Sequence, residues 1–149
     1  GIQKKNPPQD SVKKSQRLLL TWLVEEPHLY KKIEKYISPP DFTEELYGKV
    51  ADTLFEKLKQ GICEPAAIIS LFEDEEEQRE VAALFNTKLE KIESRQEREK
   101  AFHDVVLAVK KNSYETASSK LAGDVNSLKM VVEGKKALEE LRKTHISLD

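Results

Sequence analysis

Side chains that could carry out chemistry are few and widely separated in this sequence of 149 residues. The three histidines, His28, His103 and His145, do not have the spacing of a paired metal-ligand motif. The single cysteine, Cys63, has no CxxC partner and follows a Gly-Ile step, where we expect a half-buried small hydrophobic residue rather than a nucleophile. Because Walker, GxGxxG and GxSxG motifs are also missing from the sequence, we expect no catalytic, cofactor-binding or metal-binding residues.

The acidic run Glu73–Glu77 is the densest cluster of charge in the chain. It has the composition of a metal site or of an acidic interaction tail. We favour a third interpretation, in which the run forms the first turn of a helix, because negative charge there meets the positive end of the helix dipole. Other carboxylates, such as those of Glu139 and Glu140, lie among lysines and are typical of solvated helix faces.

The composition excludes several classes of protein. Charged residues make up 35% of the chain, against a usual quarter, and the net charge of −2 argues against a dedicated nucleic-acid binder. No apolar run approaches the roughly 18 residues of a membrane span. The sequence carries no signal peptide and a lone cysteine, so we expect a cytoplasmic location. The polar residues 1–9, which begin with glycine, are interpreted as a linker cut from a longer protein.

Apolar residues recur at helical spacing throughout, which predicts an all-α protein. Asp10 and Ser11 are suitable N-cap residues for a first helix ending near residue 25. Pro27 restarts a second helix, which the prolines at 39 and 40 end. The spacing of Asp41 and Glu44 predicts a capping box for a third helix that ends before Gly61. A short fourth helix is predicted from about Glu64-Pro65, and a fifth helix is predicted to have the acidic run in its first turn.

The second half of the chain predicts a different organisation. All six prolines lie between residues 7 and 65, and nine of the ten aromatic residues lie between Trp22 and Phe102. A long helix is expected from Arg95, with a stop at Gly123-Asp124 and a final helix to about Lys143. We therefore predict a helical bundle subdomain over residues 10–112, joined by the long helix to a C-terminal helical hairpin over residues 113–149.

The predicted hairpin is too small to sustain a core of its own. It must therefore fold back on the bundle or present its aliphatic residues to a partner. The thin apolar stripe of Tyr114, Ala117 and Leu121 favours a protruding hairpin, because a docked helix would carry a wider apolar face. We expect the partner-binding residues to lie on and just after the final helix, at Val131, Val132, Leu138, Leu141, Arg142, His145 and Ile146.

The order of several packing and turn motifs resembles a known family. The segment Arg17-Leu-Leu-Leu-Thr-Trp-Leu-Val-Glu-Glu-Pro27 is followed by a helical stretch from His28 to Ile37 and then by Pro39-Pro-Asp-Phe42. Together with the predicted turn at Leu121-Ala-Gly-Asp124, these motifs resemble the helicase-binding C-terminal domain of bacterial replicative DNA primases (DnaG), in the form found in bacilli. The resemblance extends over the whole chain.

The resemblance implies both a fold and a role. In that family a bundle subdomain, a long connecting helix and a terminal hairpin form an interaction module. The hairpin anchors the primase to the N-terminal domains of the hexameric replicative helicase (DnaB type), and the bundle modulates helicase activity. The nucleotidyltransferase and zinc-binding domains of such primases precede this segment, so primer synthesis at the bacterial replication fork is not expected of this chain by itself.

Two other functions fit the sequence less well. The N-terminal oligomerisation domain of the replicative helicase has a similar helical layout, but a helicase fragment should run into a linker and an ATPase core. A direct binder of single-stranded nucleic acid should carry aromatic stacking residues, which the final helices lack. The expected partner is therefore the helicase hexamer, with no direct nucleic-acid binding and no membrane.

Overall fold

The computed structural model describes residues 9–120 and 125–149. The prediction of an all-α protein is confirmed, because this part of the chain contains helices and no strand. Of the predicted linker, residues 1–8 lie outside the described residues, and so does the predicted turn at residues 121–124. The α-helices are α1 (Gln9–Glu25), α2 (Tyr30–Ile33), α3 (Glu45–Lys59), α4 (Pro65–Ile69), α5 (Glu75–Asn86), α6 (Arg95–Ser119) and α7 (Val125–Lys143).

Several predicted helix boundaries are confirmed by the local structure. The acidic run does open α5, where the Asp74 carboxylate accepts the backbone N–H of Glu77 at 3.0 Å. Ser94 caps α6 by accepting the backbone N–H of Glu97. Gly61 follows α3 with a φ of 76°, a left-handed conformation that glycine adopts without strain. Among the described helices, none is long and apolar enough to cross a bilayer.

The predicted capping box of α3 is wrong. Asp41 pairs instead with Ser38, and the two residues form a capping box around the 3-10 turn Pro39–Asp41. Helix α3 begins at Glu45, and Glu44 makes no side-chain bond as its N-cap. Two consecutive prolines favour the separate turn, because each fixes φ and removes a backbone donor. The second helix is also shorter than predicted, since a 3-10 turn over Pro27–Leu29 precedes α2.

An aromatic core lies between α1, α3 and α6. The ring of Trp22 meets that of Phe102 edge to face, with centroids 5.0 Å apart. Phe55 makes similar contacts with Tyr30 at 5.2 Å and with Phe42 at 5.7 Å. These rings are all buried, as are the leucines of α1 at positions 19, 20 and 23. Edge-to-face pairs of this kind stabilise a core beyond the area that they bury.

Helices α6 and α7 pack against each other in opposite directions. The buried Gly134 lies against the ring of Tyr114, so close that a Cβ added to the glycine would stand 3.2 Å from the ring. Further along, His103 of α6 contacts the backbone of Leu141 in α7. The predicted subdomain boundary after residue 112 falls inside α6. The buried core also crosses that boundary, because Leu141, Ile146 and Leu148 belong to the same cluster as Trp22 and Phe102.

Candidate docking surface

All three histidines join the C-terminal part of the chain to the rest of the molecule. The Nε2 of His28 donates to the carbonyl oxygen of Leu148 at 3.0 Å, and the Nε2 of His103 donates to that of Leu141 at 2.6 Å. His145 lies 2.9 Å from a carboxylate oxygen of Glu99. These contacts give each imidazole a structural role. Within the described residues, no group of histidine, cysteine, aspartate and glutamate side chains could hold a metal ion.

Glu99 is the centre of a polar network near the N-terminal end of α6. Its buried carboxylate accepts the backbone N–H of Leu148 at 3.1 Å and the Nε–H of Arg95 at 3.2 Å. Arg95 also binds the carboxylate of Asp149. The bond from Leu148 is the main cause that lowers the pKa of Glu99 below its ordinary value, with help from Arg95 and His145 and against the effect of burial. The carboxylate therefore stays ionised at neutral pH and holds the chain end.

A second buried carboxylate holds the middle of α6. Asp41, which is 2% exposed, accepts a hydrogen bond from Ser113 at 2.7 Å and lies 3.2 Å from the Nζ of Lys110. The Lys110 side chain is itself 12% exposed. This ion pair fixes α6 against the Pro39–Asp41 turn immediately before the helix leaves the aromatic core. The sequence pattern assigned Asp41 to the cap of α3 and did not predict this long-range ion pair.

The structure buries three of the expected partner-binding residues. Leu138, Leu141 and Ile146 are 4%, 0% and 4% exposed, so they face the inside of this chain and are not available as anchors for a partner. The expectation of a protruding hairpin is wrong for this end of α7. The physical reason is that Leu141 and Ile146 belong to the core cluster of Trp22 and Phe102, and Leu138 is buried one turn earlier on α7. This end of the chain therefore folds back on the bundle.

The remaining expected residues lie at or near the surface. Val132, Arg142 and His145 are exposed, and Val131 is half-buried. The side chain of His145 is 74% exposed even though it contacts Glu99. Val132 is therefore the only fully exposed aliphatic residue of the expected set, and it lies in the half of α7 that is remote from the chain end.

An exposed apolar stripe on α7 includes Val132 and two residues that the expected set omitted. Val125, Leu128 and Val132 are 79%, 51% and 54% exposed. Their spacing of three and four places them on one face of the helix. We call these three residues the α7 stripe. The signal was present in the sequence, because Val125 and Leu128 share the apolar periodicity of the helix, but periodicity alone does not say which apolar residues meet α6.

Basic side chains border the α7 stripe. Lys129, Lys135 and Lys136 are all exposed and lie within one turn of Leu128 or Val132. The chain as a whole has a net charge of −2. The positive charge of these three lysines is therefore opposite in sign to the net charge of the molecule. In contrast, Leu71, which is 60% exposed, precedes the acidic run at the start of α5. Leu71 lies in the turn after α4 and is the only exposed large aliphatic residue among the described residues before α7.

No family model, curated protein or solved structure matches this chain. The likeness to helicase-binding domains of primases therefore depends on the sequence motifs alone.

Proposed function

We propose that this chain is a protein-interaction module of a bacterial replicative DNA primase, and that it recruits the primase to the hexameric replicative helicase. The order of the motifs from Arg17 to Phe42 supports the family. The observation that carries the interaction is the exposed α7 stripe, which replaces the buried leucines as the contact surface. On this proposal primer synthesis belongs to domains that precede the module, and the bundle modulates the helicase once the complex has formed.

The stripe has the form of a helical anchor. Three aliphatic side chains at spacings of three and four can enter an apolar groove or pack against a partner helix. The opposite face of α7 cannot serve, because Gly134, Leu138 and Leu141 are buried there. Exposed aliphatic residues are common singly, but a row of them on one helix face is typical of an interaction site.

The lysines beside the stripe indicate the charge of the contact surface on the partner. Lys129 and Lys136 lie one and four residues after Leu128 and Val132, so they flank the stripe along the same side of the helix. An apolar groove with an acidic rim on the helicase N-terminal domains would complement this surface. Charges at the edge of an interface mainly raise the association rate, and their effect falls with added salt.

The first prediction tests the stripe with Leu128→Ala and Val132→Ala. Truncation of one good anchor should cost about 2 kcal/mol, or roughly thirtyfold in affinity. Leu71→Ala is the matched control, since it truncates an equally exposed aliphatic residue far along the sequence from α7. Binding of the purified chain to the helicase hexamer is measured by titration calorimetry, and circular dichroism confirms that the helix content is unchanged.

The outcomes distinguish an error in the proposed contact surface from an error in the proposed partner. If the helicase binds the wild-type chain but also binds both α7 variants with unchanged affinity, the stripe is not the contact. A wild-type chain that does not bind the helicase contradicts the proposed function itself. Equal losses in Leu71→Ala and in the α7 variants would indicate a general apolar effect rather than a defined surface.

The alternative function, an oligomerisation domain of the helicase, would use the same exposed face for contacts between copies of the chain. Light scattering on the isolated chain distinguishes the two. A recruitment module should be monomeric, whereas a concentration-dependent assembly that Leu128→Ala abolishes would favour the helicase domain.

A further inference from the structure

The chain continues beyond α7 without regular secondary structure, yet two of its side chains there are buried in the core. Of residues 144–149, Ile146 and Leu148 are 4% and 8% exposed and belong to the main core. The segment has no helical hydrogen bonds of its own to hold this path. Its position must therefore come from side chains of other elements.

Polar groups from two elements hold this segment. His28, in the turn before α2, donates to the carbonyl oxygen of Leu148, and Glu99 of α6 accepts the N–H of the same residue. Glu99 also contacts His145 through its other carboxylate oxygen. Arg95 lies between Glu99 and the chain end, where it binds Asp149 and Ser147. One carboxylate thus joins three of the groups that fix the segment.

We propose that residues 144–149 form a clasp that the negative charge of Glu99 keeps closed, and that the clasp opens as a local unit when this charge is lost. On opening, Ile146 and Leu148 leave the core while the aromatic residues around Trp22 stay packed. Glu99 is therefore a positioning residue for the chain end. The clasp is a property of this chain alone, whether or not the helicase is the partner.

Local opening follows from where the contacts lie. Residues 144–149 follow α7 and belong to no helix, so their release leaves the described helices intact. The edge-to-face pair of Trp22 and Phe102 makes no use of residues 144–149. Segments with few contacts of their own commonly open at a lower free energy than the global unfolding of the protein. Loss of a charge-assisted hydrogen bond at Glu99 should lower the free energy of opening the clasp below the free energy of global unfolding.

The surrounding charges determine the direction of the pH dependence. From α6, Arg95 favours the ionised form of Glu99, and Lys100 and His103 line the same cleft. From the C-terminal side, Lys143 lines that cleft and His145 contacts the carboxylate. Asp149 is a nearby negative charge that Arg95 and Lys32 of α2 offset.

The lowered pKa of Glu99 determines how the stability of the closed clasp changes with pH. The carboxylate stabilises the closed clasp at any pH above its ordinary value of 4.5, and this contribution is lost as the pH falls through the lower value in the folded chain. The clasp should therefore be closed at neutral pH and should open in acid. Replacement of Glu99 by glutamine should open it at every pH.

The experiment follows amide protons of the full chain by NMR. Protection of the Leu148 N–H from hydrogen exchange is measured from neutral to acid pH. A separate measurement of near-ultraviolet circular dichroism follows the packing of Trp22 in the core over the same pH range. The variants are Glu99→Gln and, as the matched control, Glu97→Gln, which removes an exposed carboxylate from the same turn of α6.

The expected result is a fall of about tenfold or more in Leu148 protection in Glu99→Gln at neutral pH, with the Trp22 signal unchanged. Glu97→Gln should behave like the wild type, in which Leu148 protection is lost at a higher pH than the Trp22 signal. Wild-type protection in Glu99→Gln would overturn the role of the charge. Loss of Leu148 protection together with the Trp22 signal in all chains would show that no separate clasp exists.

Discussion

At the scale of single residues, two buried carboxylates organise α6. Asp41 holds its middle and Glu99 holds its start, and each accepts several hydrogen bonds from groups distant in sequence. A charge removed from water is costly unless it is paired and hydrogen-bonded, so the partners of such a group depend on it strongly. Buried residues of this kind are expected to be the most sensitive polar positions in the chain.

The second prediction concerns Asp41. Its replacement by alanine should destabilise the fold by about 3–5 kcal/mol, because Lys110 is then left buried without its counter-charge. Asp104→Ala is the control, since it breaks an exposed pair with Lys100 whose contribution should be at most about 1 kcal/mol. Chemical denaturation followed by Trp22 fluorescence measures both. Similar midpoints for the two variants would contradict the importance of the buried pair.

At the scale of elements, the sequence predicted the helices well because their stop and start signals are local. Prolines, glycines and acidic first turns act within a few residues of the helix end that they define. The side of α7 that meets α6 could not be predicted in the same way. The helix has aliphatic residues on both faces, at Leu128 and at Leu141, and the choice between them depends on contacts with residues far away in the sequence.

The contact of Gly134 with Tyr114 resolves part of that choice. A residue without a side chain lets the two helices approach closely, so a thin apolar stripe on α6 is sufficient to dock α7. The inference of a protruding hairpin assumed that docking requires a wide apolar face. Close packing of Gly134 against the ring of Tyr114 removes that requirement.

The third prediction follows from this contact. Gly134→Leu should destabilise the chain by about 1–3 kcal/mol, because the added side chain collides with Tyr114 and forces α6 and α7 apart. Glu133→Leu, which adds a leucine to the exposed neighbouring position, should change stability by no more than about 0.5 kcal/mol. Thermal unfolding by circular dichroism is the measurement. Tyr114→Ala combined with Gly134→Leu should recover part of the loss, and no recovery would argue that another neighbour limits the space.

At the scale of the whole molecule, the core contains residues from both sides of the predicted division after residue 112. Large apolar residues from the end of α7 and from the clasp complete the cluster that contains Trp22, Val106 and Val109. Composition suggested the division, because aromatic residues and prolines are concentrated in the first part of the chain. Composition does not record that a few aliphatic residues at the end of the sequence return to the same core.

The last prediction tests this shared core with two leucines of the same helix. Leu141 is 0% exposed and Leu128 is 51% exposed, so the same substitution should have very different effects at the two positions. Leu141→Ala should lower the free energy of unfolding by about 2–5 kcal/mol, through lost burial and the cavity that remains. Leu128→Ala should change it by no more than about 0.5 kcal/mol.

Trp22 fluorescence during denaturation is the appropriate probe, because Trp22 lies in the N-terminal helix and reports on the part of the core formed before residue 112. If the end of α7 is integral to that core, Leu141→Ala shifts the Trp22 transition and keeps it cooperative. A Trp22 transition that is unchanged in Leu141→Ala would instead restore the division into a bundle and an independent C-terminal unit. Helicase affinity should show the reverse ranking among folded chains, since Leu128 belongs to the proposed contact surface and Leu141 does not.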